Sequence, residues 1–180
     1  NEQEENDKEM ILKYIDTFSD VLTRDNKMCH FTASNWITNK NKTKILMCYH
    51  NIYKSWAWTG GHSDGDSNLL NVALKEAEEE TGLKTIKPLS NEIFSIQILS
   101  VDSHKKRGVF IPTHLHLDCC FILEADEKED LKIKEDENSG LKWVEIDNVL
   151  NIVNENNMKS IYDKLNQKLK NNLYFKKSFN

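Results

Sequence analysis

Residues 60–83 read GGHSDGDSNLLNVALKEAEEETGL. The stretch opens on a Gly-Gly turn, continues through an acidic loop containing a third glycine, and then runs without interruption through helix formers to Gly82. Asp66 or Ser67 suits the cap at the start of that helix, and Gly82 suits the position just past its end. Glu76, Glu79 and Glu80 fall at i, i+3 and i+4, a spacing that places three carboxylates on one helical face with Cβ atoms about 5–6 Å apart. Leu70, Ala73, Leu74, Ala77 and Thr81 fall mostly on other faces, where they can pack on a core. Clustered carboxylates repel one another unless water or a cation absorbs the charge. Hard oxygen ligands on a rigid face suit Mg²⁺ or Mn²⁺. Taken alone, the same cluster also reads as a solvated acidic surface.

The spacing of the whole stretch resembles the Nudix box: Gly, five residues, Glu, seven residues, then Arg-Glu-apolar-any-Glu-Glu-any-Gly-apolar. Counted from Gly61, Lys75 stands in the Arg place and is followed by Glu76, Ala77, Glu79, Glu80, Gly82 and Leu83, while Ser67 stands in the first Glu place. The two departures fall on residues that tend to pair in the family, so no charge is left without its partner. Ser67 is then free to cap the helix. The resemblance implies a Nudix-like α/β/α sandwich around a mixed β-sheet, with extra N-terminal and C-terminal helices. It also implies a metal held by Glu76, Glu79 and Glu80, joined by a backbone carbonyl near Gly60, where glycine lets the chain come close.

Outward from the box, apolar residues recur at helical spacing from Glu9 to Leu22 (Ile11, Tyr14, Ile15, Phe18, Val21, Leu22), which predicts an amphipathic helix. Residues 1–8 are polar and are expected to fray. The helix packs on its own domain by default, and a homodimer contact is an alternative use of the same face. Residues 29–38 and 44–50 flank the turn Asn39–Thr43 and read as a hairpin. Trp56 and Trp58 lead into Gly60; Trp58 is a candidate for stacking on a base, against the ordinary reading of core packing.

Beyond the box, residues 92–101 read as a strand and DSHKKRG (102–108) as a basic loop, in which Lys105, Lys106 and Arg107 are candidates for substrate phosphates; the alternative is a solvated tip. Residues 113–124, THLHLDCCFILE, alternate so that His114, His116, Asp118 and Cys120 share one face and Leu115, Leu117, Cys119 and Phe121 the other. A His-His-Asp row can ligate a metal or position a substrate. The resemblance places it at the pocket wall, with His116 foremost. Residues 125–140 form a charged loop. In some Nudix hydrolases a Glu shortly before the next strand completes the metal site or acts as base; here that is Glu137, with Glu135 its nearest competitor. Leu141–Ile146 is a strand, Asp147 is expected to cap a short helix, and a final helix from about Asn157 carries Met158, Ile161, Leu165, Leu169 and Leu173 at helical spacing.

The 180 residues read as one domain, with 1–25 an N-terminal helical extension and 147–180 the C-terminal helices. A formal net charge of −5 argues against a nucleic-acid polymer as partner. No apolar run has the length of a membrane span, and no secretory segment opens the sequence. Four cysteines without CxxC spacing read as reduced thiols of a cytoplasmic protein, and adjacent Cys119 and Cys120 point to opposite faces of a strand.

The resemblance implies a hydrolase that cleaves a nucleoside diphosphate linked to another moiety, a small-molecule substrate whose crowded oxygens require divalent cations. The base is one of the helix glutamates, Glu76 or Glu79, or the loop residue Glu137. Two other readings stand beside it. A non-catalytic Nudix-fold nucleotide-binding module would account for the altered Ser67 and Lys75. An isopentenyl diphosphate isomerase would need a reactive Cys in a context unlike Cys119-Cys120.

Overall fold

Every residue from Cys29 to Asn39 is buried. That strand, β1, pairs with β9 (His114–Ala125) in parallel from Cys29↔Leu115 to Asn39↔Ala125, which makes the two the centre of the sheet. The computed structural model describes residues 1–106 and 108–171. Arg107, the Lys106 side chain and residues 172–180, including Leu173, lie outside the described residues.

The remaining elements, in chain order, are α1 (Glu2–Thr17) before β1; β2 (Lys44–His50), β3 (Ser55–Ala57), β4 (Thr59–His62), α2 (Leu69–Thr81), β5 (Lys87–Pro88), β6 (Ser95–Val101), β7 (His104–Lys106) and β8 (Val109–Ile111) before β9; then β10 (Asn138–Glu145), a 3₁₀ turn (Ile146–Asn148), α3 (Val149–Ile152) and α4 (Asn156–Lys170). The main path of the sheet is β10-β2-β1-β9-β5, with β4 also on β1, β3 on β2 and β6 on β9. All pairs except β1–β9 are antiparallel, so the sheet is mixed.

The period-2 alternation of the central strands sorts the core into two layers. Phe31, Ala33, Leu117, Cys119 and Phe121 face α2, through Val72, Ala73 and Ala77, and Ile11 of α1. Trp36, Cys120 and Ile122 face α4, through Tyr162, Leu165 and Leu169, and α3, through Val149. This is the expected α/β/α arrangement, and Cys119 and Cys120 do part to opposite faces. All four cysteines are free and buried. Among the described residues no helix is long and apolar enough to cross a membrane.

Several local expectations are corrected. The first helix is Glu2–Thr17 rather than Glu9–Leu22. Asn1 accepts the Glu4 amide, and Glu2, Glu4 and Glu5 favour the positive end of the helix. Residues 2–8 are therefore helical, capped by Asn1, rather than frayed. Their polar side chains have partners on the open edge of β6, where Gln3 Nε2 donates to the Ile96 carbonyl at 3.2 Å and Asp7 accepts the Ile98 amide at 3.0 Å. Helix α2 is capped by Asn68, which accepts the Asn71 amide, and not by Asp66 or Ser67; Asp66 instead accepts the Asn68 amide and shapes the turn before it. Gly82 closes α2 in the left-handed conformation at φ 72°, as expected. Asp147 caps no helix but sits inside the 3₁₀ turn, and two short paired strands, β7 and β8, lie on either side of Arg107 in the basic segment.

Candidate active site

The box reaches its geometry through close packing of β4 on β1. A Cβ on Gly60 would stand 2.6 Å from the Ala33 carbonyl oxygen, and one on Gly61 would stand 2.3 Å from the Glu76 carboxyl carbon. Glycine at both positions lets the strand lie flat against β1 and lets the α2 carboxylates come down onto it. Glu80, 3 % exposed, accepts the Gly60 amide at 2.8 Å. Glu76 lies against Gly61. Glu137 comes from the turn just before β10, where Asn138 Nδ2 donates to the Glu80 carbonyl at 3.4 Å and fixes loop to helix. One carboxylate oxygen from each of Glu76, Glu80 and Glu137 lies within 4.8 Å of the others.

The carboxyls of the cluster are crowded and partly desolvated. Burial raises the Glu80 carboxyl to about 8; the Gly60 N–H opposes the shift, and Glu76 and Glu137 add to it. Burial raises Glu76 as well. Lys134 partly balances the charge, with Nζ 3.1 Å from Glu137 and 3.4 Å from Glu79. Burial works against the lysine's charge, but Glu137, Glu76 and Glu79 hold it above its ordinary range. An all-oxygen donor set of crowded carboxyls, which a bound cation would favour in their charged form, fits Mg²⁺ or Mn²⁺.

Glu79 stands at the rim of this trio, its side chain 42 % exposed, between Lys134 and Lys75, the latter at 3.8 Å. Of the two departures from the box, Lys75 thus serves Glu79, and Ser67 is exposed in the loop before the cap. Glu135 is exposed and outside the trio.

The His-Asp row lies elsewhere. On β9, His116 pairs with His30 and Asp118 with Thr32, and on β4 His62 pairs with the same Thr32. All project from the face opposite α2. Asp118, 2 % exposed, accepts Thr32 Oγ1 at 2.9 Å, Ser34 Oγ at 2.7 Å and Gln97 Nε2 at 2.5 Å. Burial raises it to about 6 against the pull of those donors. His116 and His114 pack with His30 and His62 at ring-centroid distances of 4.9–5.1 Å. Burial, followed by the neighbouring imidazoles, lowers His116 to about 2. Trp58 is part of the second core layer, edge-on to Tyr162 at 5.4 Å.

Sequence reasoning missed Lys134, His30 and His62. Lys134 sits in a charged loop without periodicity. His30 and His62 would have emerged from the pairing of β1 with β9 and β4, which no single segment displays.

The comparisons agree with this architecture. The sequence model of the NUDIX domain matches residues 28–165, most of the chain. No curated protein sequence matches it. Among solved structures, the fold is similar to an Ap4A hydrolase of C. elegans in a binary complex (TM-score 0.55, 16% identity, 78% of this chain and 98% of that one). It is also similar to a NUDIX-family hydrolase from Clostridium perfringens (TM-score 0.55, 20% identity, 78% and 97%) and to the E. coli dihydroneopterin triphosphate pyrophosphohydrolase (TM-score 0.57, 14% identity, 78% and 95%). A mixed sheet between helical layers with glutamates gathered beside a glycine strand defines the class, a Nudix-type pyrophosphohydrolase. The chain belongs to the Nudix family.

Proposed function

We propose that the chain is a Mg²⁺- or Mn²⁺-dependent hydrolase that cleaves the diphosphate of a nucleoside diphosphate linked to a second moiety. The observation that carries this reading is the convergence of Glu76, Glu80 and Glu137 at the Gly60–Gly61 strand. Those three residues would hold the cation, which when bound would supply charge neutralisation at the diphosphate oxygens and a lowered pKa for a coordinated water. The Gly60 amide keeps Glu80 in place. Glu79, beside the trio and within 3.4 Å of Lys134 and 3.8 Å of Lys75, is the base in this reading and takes the proton from the attacking water. Folds shared with an Ap4A hydrolase and a dihydroneopterin triphosphate pyrophosphohydrolase support a small nucleotide-like substrate.

One observation favours the binding module instead: Lys134 already supplies a positive charge to the cluster. A panel of nucleotide-linked diphosphates with Mg²⁺ or Mn²⁺, read as phosphate released after added phosphatase, separates the two. Hydrolysis of at least one member, lowered roughly a hundredfold or more by Glu76→Gln or Glu80→Gln, is the expected result. Metal-dependent nucleotide binding with no turnover across the panel would leave only the module.

A further inference from the structure

Three strands bring their ends together at one point on the face opposite α2. β1 contributes His30, β4 contributes His62 and β9 contributes His114 and His116. His30, His62 and the His114–His116 pair are far apart in sequence, and it is the pairing of β1 with β9 and β4 that brings them together. One ring nitrogen from each of His30, His62 and His116 lies within 4.8 Å of the others. Side chains in a core meet as apolar neighbours or as hydrogen-bonded pairs. Here polar rings face polar rings.

The hydrogen bonds fix which nitrogens carry lone pairs. His30 Nδ1 lies 3.0 Å from the Asn26 carbonyl, which can only accept, so Nδ1 bears the proton and Nε2 is bare. That Nε2 is buried without a partner, on a side chain 4 % exposed, and a buried polar atom of that kind is rare without a reason. His114 Nδ1 lies 2.8 Å from the Pro112 carbonyl and bears its proton by the same logic. Its Nε2 is 3.2 Å from His116 Nε2; with both rings neutral His114 accepts there, His116 donates, and the His116 lone pair is left on Nδ1. A histidine held through one nitrogen by a carbonyl, with the other nitrogen free, is the arrangement of a metal-ligating imidazole and its supporting acceptor.

We propose that His30, His62 and His116 form a binding site for a borderline divalent transition-metal ion, Zn²⁺ foremost, with His114 as a positioning residue that orients His116. Three imidazoles exclude the hard Mg²⁺ and select Zn²⁺, Co²⁺, Ni²⁺ or Cu²⁺. Three protein ligands leave a fourth position for water or an exchangeable group. The site is separate from the carboxylate trio: His62 projects to one face of β4, and the neighbouring Gly61 abuts Glu76 on the other.

The test uses the full chain stripped with chelator and titrated with Co²⁺, whose visible bands report nitrogen coordination, then with Zn²⁺ in competition with a chromogenic chelator. One ion per chain is expected, unaffected by excess Mg²⁺ and retained in the Glu76→Gln/Glu80→Gln double variant. His62→Gln and His116→Gln should each weaken binding at least tenfold, and His114→Ala by roughly ten- to a hundredfold. His30 is too buried for its loss to be read cleanly. His62 is only half-buried, and circular dichroism of His62→Gln shows whether the fold is kept. Absence of the Co²⁺ bands in the wild-type chain overturns the proposal. So does unchanged affinity in a folded His62→Gln, or loss of the ion in the glutamate variant alone.

Discussion

Adjacent glycines in β4 carry different obligations. The space a side chain would need at Gly60 belongs to the Ala33 backbone, which cannot move without opening the β1–β4 pair; at Gly61 it belongs to the end of a flexible glutamate. Gly60→Ala is expected to destabilise the fold by about 1–3 kcal/mol in chemical denaturation. Gly61→Ala should leave stability nearly intact but push Glu76 aside, weakening divalent-ion affinity measured by calorimetry. Equal loss of stability in the two would contradict this assignment. Glu80 supplies a pH signature. Its folded value, about 8, lies above its ordinary 4.5, so the folded state holds the proton more tightly. The stability this contributes is complete below about pH 4.5 and is lost as the pH rises through 8. Metal-free protein should therefore be weaker at pH 9 than at pH 5 by on the order of 4 kcal/mol from this group. Glu80→Gln should flatten that slope in urea titrations carried out with chelator.

Between elements, side chains that look merely solvated in the sequence carry the docking. The loop 126–137 is a run of charges with no period, yet Lys134 reaches from it to Glu79 of α2 and to Glu137. A divalent ion must share those carboxylates with the ammonium. Lys134→Met should tighten Mg²⁺ binding several-fold by calorimetry, and weaker binding would mean that the lysine organises the site instead. The N-terminal turns of α1 were likewise illegible. Gln3, Glu4 and Asp7 give no apolar signal, and only the edge of β6 shows what they bond to. Replacing Gln3 and Asp7 by Ala should bare that edge and raise self-association in light scattering. The elements that could be read were those whose signal is local. The box helix and its Gly82 end, the β1–β2 hairpin and the alternation of β9 each follow from a short segment. Glu76, Glu80 and Glu137 were legible as site candidates through the box and its downstream strand. The imidazole group was half-legible, because His114 and His116 share a strand while His30 and His62 arrive through long-range pairing.

For the molecule as a whole, the proposed cation site couples binding to folding. An ion that enters only the folded trio should raise the midpoint of thermal unfolding with concentration, by about 2.7 kcal/mol of stability at a hundred times its Kd. The Glu76→Gln/Glu80→Gln double variant should show no such rise with Mg²⁺.

The parallel pair at the centre of the sheet joins Thr32 to Asp118 across 86 positions of sequence. During synthesis the eleven residues of β1 must wait for β9 to leave the ribosome before they gain their main neighbour. Until then the edge of β1 that takes β9 stands open, while β2 and the short β4 pair with the strand's other side. Such high contact order makes for slow assembly and a vulnerable nascent chain.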